Sequence, residues 1–84
     1  MANFSRTIRA VRMMKGVKQA EIADLLEVRQ QSVSKLENGK TRISKMVADK
    51  IARYLGFSNG AEMESFYEKH ISSHININGF EEPN

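Results

Sequence analysis

Large apolar side chains recur three or four positions apart in five stretches of the chain, the spacing of one face of an α-helix. Phe4, Ile8 and Val11 predict a helix over about 4–15, and Gly16 supplies its stop, since a residue of positive φ after a helix is least strained as glycine. Ile22, Ala23 and Leu26 predict a short helix over 19–26; Val33 and Leu36 predict another over 30–38. Val47, Ile51 and Leu55 mark a fourth, capped by Ser44 and ended by Gly56. A fifth is opened by Asn59 and Glu62, spaced as a capping box, and runs over about 59–72. Its stripe of Met63, Phe66, Tyr67, His70, Ile71 and His74 is longer than one small core requires.

The pattern changes in the last twelve residues. His74-Ile75-Asn76-Ile77-Asn78 alternates with period two, which suggests a short strand. A lone strand has no partner inside an all-helical domain, so either it pairs with its own copy across a two-fold axis or the tail is disordered or helix-extending. The expected organisation is therefore one all-α unit over 1–72 and a tail over 73–84, with Glu81 to Asn84 disordered.

The third stretch carries more side-chain chemistry than a core helix needs. Opposite Val33 and Leu36 lie Gln31, Ser34, Lys35 and Asn38, with Gln30 projecting from the first turn. A merely solvated face is usually built from Glu and Lys four apart. This one is built from groups that hydrogen-bond to base edges: Gln to adenine, Lys to guanine acceptors. The segment 19–39 is accordingly read as two helices joined by a tight turn, the second presented to the major groove.

Composition supports that reading and removes others. The 84 residues make one domain, near the size at which a single core only just suffices and oligomerisation helps. There is no Cys, so disulfides and zinc-thiolate sites are excluded, and with no apolar targeting or membrane-spanning run the chain reads as cytoplasmic. The net charge of +3 hides an asymmetry: residues 1–56 carry 12 Lys and Arg against 5 Asp and Glu, whereas 57–84 carry 1 against 5. The basic charge sits with the expected reader, where phosphates would be met.

Several residues together carry a family resemblance: Val11-Arg12, Gly16, Gln19, Ile22-Ala23, Leu26, Val28, Val33, Leu36-Glu37-Asn38-Gly39 and Leu55-Gly56-Phe57. Over 8–57 the chain resembles the Cro/CI-type (XRE-like) helix-turn-helix domains of phage repressors and bacterial regulators. Arg29-Gln30-Gln31-Ser32-Val33 is similar to the recognition segment of lambdoid repressors. The resemblance implies a five-helix lambda-repressor-like fold and a homodimeric repressor of bacterial or phage origin, associated with the nucleoid. It implies base reading by Gln30, Gln31, Ser34 and Lys35 on double-stranded DNA. It also implies phosphate contacts from Gln19, at the start of the second helix, and from Asn38, Lys40 and Arg42, and an ion pair between Arg12 and Glu37. A plain first-turn role for Gln19 and a solvated loop at 40–43 are the bland alternatives.

Three positions depart from the family pattern. Lys18 and Arg29 stand where Ser or Thr often caps a helix, and Glu27 stands where the turn usually has glycine. A cation beside the positive end of a helix dipole is unfavourable by up to roughly 1 kcal/mol, which phosphate docking would offset. Lys18 and Arg29 thus join the expected phosphate contacts. Phe66, Tyr67, His70, Ile71, Ile75 and Ile77 are the candidate dimer interface, because a single reading helix contacts few base pairs.

Other functions are weaker. The acidic tail is compatible with a DNA-binding antitoxin that wraps a toxin protein, or with a controller protein of a restriction system. His70 and His74 are four apart but lack further ligands, so no metal and no cofactor is expected. Met13, Met14 and Met63 read as core filler. No nucleophile-base constellation or phosphate-cradling loop suggests an enzyme.

Overall fold

Five α-helices follow one another in the computed structural model, which describes residues 4–72: α1 Phe4–Met14, α2 Gln19–Leu26, α3 Gln30–Glu37, α4 Lys45–Tyr54 and α5 Gly60–Phe66, the last continued by a π-helical segment, Tyr67–Ser72. Each α-helix sends at least one fully buried side chain to a common centre. Ile8 and Val11 come from α1, Ile22 from α2, Val33 from α3, Ile51 from α4 and Met63 from α5. Burial of one such side chain stabilises by about 1.5–3 kcal/mol, so the helices hold one another rather than standing alone. Around this centre Phe4, Leu26, Ile43, Val47, Phe57, Phe66 and Tyr67 are half-buried.

The helix ends follow their local chemistry. Gly16 takes φ 72° after α1. Ser44 Oγ accepts from the Val47 N–H at 3.1 Å, capping α4. At α5 the Asn59 side chain accepts from the Glu62 N–H at 2.8 Å, but the Glu62 carboxylate bonds the N–H of Ser58, one residue earlier than the expected reciprocal partner.

Three expectations are corrected. Met13 and Met14 are 59% and 50% exposed; only Met63 fills the core. Met13 shares the exposed side of Arg6 and Arg9, and Met14 is the last residue of α1. In α4 and at its C-cap, Ile51 and Leu55 are core residues as expected and Val47 packs against the core half-buried, but Ala48 and Ala52, which the apolar spacing does not mark, are fully buried as well. Small residues face inward there because α5 packs closely: a Cβ on Gly60 would stand 3.1 Å from Phe4 Cε1 and 3.2 Å from Ala48 Cβ. The Gly60 N–H also donates to Asp49 Oδ1 at 2.7 Å, so the start of α5 is bonded as well as wedged against α4.

The third correction concerns the long stripe. It is not one α-helix: from Tyr67 the backbone widens into a π-helix, which breaks the three-four spacing. Phe66 and Tyr67 pack on the core, whereas His70 is exposed and its ring lies 4.9 Å from that of Phe66. Phe57, Glu62, Phe66, Lys69 and His70 line a shallow groove at this end. Among the described residues there is no strand, and none of their helices is long and apolar enough to cross a membrane. The Ile71 side chain, His74, Ile75, Ile77 and the alternating segment lie outside the description.

Candidate nucleic-acid interface

The turn between α2 and α3 is closed by Glu27, at φ 58° and ψ 45°, the only positive φ outside glycine among the described residues. Its N–H donates to Asp24 O at 3.2 Å and that of Val28 to Ala23 O at 3.0 Å, so two of the four orphan carbonyls of α2 are satisfied. A side chain in this conformation costs on the order of 1 kcal/mol relative to glycine. Ala23, small and buried, allows α3 to cross α2 closely.

On α3, Val33, Leu36 and Glu37 are buried, while Gln30, Gln31, Lys35 and Asn38 are exposed and Ser34 is half-buried. The four expected base readers are thus brought onto one helix, with Ser34 the least accessible. Past α3, the Lys40 N–H returns to Lys35 O at 2.9 Å, turning the chain through Gly39 into an exposed loop that carries Lys40 and Arg42. Neither cation has an ion-pair partner among the described residues.

Behind the reading face is a buried polar junction. Arg12 and Glu37 are 9% and 5% exposed and meet through two bonds, Nε to Oε2 at 2.6 Å and Nη2 to Oε1 at 3.0 Å. A third bond runs from Arg12 Nη1 to Val17 O at 2.8 Å. One side chain therefore ties α1, the α1–α2 loop and the end of α3. The forked geometry uses what distinguishes arginine from lysine.

Gln19 extends this junction to the surface. Its Nε2 donates to Glu37 Oε1 at 3.1 Å. A carboxylate only accepts, so the amide nitrogen must face Glu37, and the carbonyl is left facing outward. That oxygen receives Gln30 Nε2 at 3.4 Å, a long bond at the exposed end of the series. Gln19 is half-buried and already bonded on both sides, so it is less a freely offered phosphate ligand than a spacer between Glu37 and Gln30. Sequence reading missed this link because Gln19 and Gln30 are eleven apart and meet only when α2 and α3 cross. The available signal was the unused acceptor capacity of Glu37.

The helix starts behave differently from each other. At α2, Lys18 has the extended backbone of a cap but its ammonium accepts nothing; instead Glu21 Oε1 accepts from the Lys18 N–H at 2.9 Å. Tyr54 on α4 donates its hydroxyl to Glu21 Oε2 at 3.0 Å. The backbone N–H of Lys18, then the hydroxyl of Tyr54, hold the Glu21 carboxyl below its ordinary range, and the hydroxyl bond to Glu21 raises the Tyr54 phenol. The Lys18 to Glu21 spacing is that of a capping box and was the signal for this pair. At α3, Arg29 also has the cap backbone, with no side-chain hydrogen bond to the helix start. Both cations are exposed beside their helix N-termini.

Among the described residues no group of His, Asp and Glu could hold a metal ion. No curated protein and no solved structure matches the chain significantly. A family model described as Helix-turn-helix matches residues 8–58, more than half of the 84. A tight-turned helix pair, with a polar exposed second helix and a basic loop after it, lies within that stretch, and the chain belongs to the Cro/CI-type helix-turn-helix family of DNA-binding transcription regulators.

Proposed function

We propose that the protein is a sequence-specific repressor that binds a palindromic operator as a homodimer, one α3 in each of two successive major grooves. Gln30, Gln31, Ser34 and Lys35 read base edges. Lys18, Arg29, Asn38, Lys40 and Arg42 hold the backbone, and Gln19 orients Gln30 while its α2 start approaches a phosphate. The single observation that carries this reading is the bonded series Arg12–Glu37–Gln19–Gln30. It biases the Gln30 amide toward one orientation at the solvent face through a single long bond, which favours bidentate adenine recognition. Phe66, Tyr67 and His70, with Ile71, Ile75 and Ile77 of the following segment, supply the dimer contacts. The shallow groove beside Phe66 and His70, lined also by Phe57, Glu62 and Lys69, supports this choice of surface.

In-vitro selection from a random duplex library tests the reading. The expected product is a palindrome with half-sites about ten base pairs apart, centre to centre. On that duplex Gln31→Ala should cost roughly 1–3 kcal/mol and relax one position, whereas Lys40→Ala should weaken all sequences alike and reduce the salt slope by about one. Selection of a single half-site, or equal effects of both variants on every sequence, would refute the dimeric reader. Recovery of DNA only with a tightly bound second protein would favour the antitoxin reading.

A further inference from the structure

We infer that Arg9, on the scaffold helix α1, is a further DNA-backbone contact, taking the phosphate that flanks the reading face beside Asn38. The inference rests on the reading of α3 given above. Two contacts show which edge of α1 borders α3. A Cβ built on Gly39 would stand 3.6 Å from Ser5 Oγ, and two turns later Arg12 reaches Glu37. At about 100° and 1.5 Å per residue, Arg12 lies about 20° to one side of Ser5 and Arg9 about 40° to the other, about 6 Å along the axis between them. The Arg12 side leads to buried Ile8. Arg9 is therefore on the solvent rim of the same border.

The border also has a defined position on α3. Going round that helix from Glu37, away from buried Val33 and Leu36, Ser34 follows after about 60° and Asn38 after about 100°. The edge of α3 gripped by Arg12 is thus the Ser34–Asn38 edge of the reading face. Gln19, bonded to Glu37, puts the start of α2 at the same edge. DNA seated on Gln31 and Lys35 brings a strand of its backbone over this rim, where Lys18 and Asn38 are exposed. Arg9 is exposed there too, and its side chain has no hydrogen bond or ion pair among the described residues. A phosphate would engage its forked donors without breaking anything. Arg6 supplies an internal comparison: it is equally exposed but lies about 100° from Ser5, turned away from the border.

The test titrates the wild type, Arg9→Ala, Arg9→Lys and Arg6→Ala onto the in-vitro selected duplex and onto an unrelated duplex, over about 50–200 mM salt. Arg9→Ala should weaken both duplexes by the same factor and reduce the log–log salt slope by about 0.9. Arg9→Lys should restore the slope, Arg6→Ala should leave it unchanged, and all three should melt with the wild type. An unchanged slope in Arg9→Ala, or an equal loss in Arg6→Ala, would overturn the assignment of Arg9 and leave the reading of α3 standing. A wild type that does not distinguish the two duplexes would overturn the base reader itself.

Discussion

Stranding one member of a buried ion pair costs more than the pair contributes, because the other charge is left without solvent or partner. Arg12 and Glu37 are in that position, and Glu37 additionally holds Gln19. Arg12→Ala should lower the unfolding free energy by about 3 kcal/mol in urea titration, while the double replacement Arg12→Met with Glu37→Leu should recover much of it. The double variant should still lose sequence discrimination, since Gln19 no longer has the carboxylate that turns its carbonyl toward Gln30. Glu27 is the opposite case, a residue tolerated rather than needed. Its φ of 58° predicts that Glu27→Gly raises stability by about 1 kcal/mol, read as a higher melting temperature with DNA binding intact. The ion pair and the strained turn were both foreseeable through the family resemblance, which pairs Arg12 with Glu37 and has glycine at the position of Glu27. The Gln19–Gln30 contact was not, since it exists only through the crossing of α2 and α3.

The helices were largely legible because their large apolar residues repeat; what escaped were features that periodicity does not weigh. Ala48 and Ala52 are core residues without bulk, and the π-helical continuation of α5 changes hydrogen-bond register without any marker in side-chain type. Helix starts carry the sharper predictions. Arg29 caps α3 without a side-chain hydrogen bond, so Arg29→Ser should raise the melting temperature, adding a cap worth about 1 kcal/mol, and should weaken DNA binding with a shallower salt slope. At α2 the cap function has passed to Glu21. Its carboxyl is held below the ordinary value of 4.5 by the bonds from the Lys18 N–H and the Tyr54 hydroxyl, so it binds fewer protons folded than unfolded. Its contribution is therefore present above pH 4.5 and is lost as pH falls through the depressed folded value. Glu21→Gln should flatten the acid limb of a melting-temperature profile below that pH and leave the neutral-to-basic region nearly parallel to wild type.

At the scale of the molecule, charge divides the chain as its sequence does. The expected DNA contacts Lys18, Arg29, Lys35, Lys40 and Arg42 all lie before Gly56 and are exposed, whereas Glu62, Glu64 and Glu68 lie on the last helical segments. One end carries the reader and the other an aromatic groove of mixed charge. The Gln19 to Gln30 bond has a consequence for anyone transplanting specificity between members of this family. The reading helix is not a self-contained cassette, because its first side chain is set by α2 and, through Glu37, by α1. A foreign α3 spliced in at Arg29 would arrive without a matched residue at position 19. The smallest portable unit is the helix pair together with the arginine that braces it.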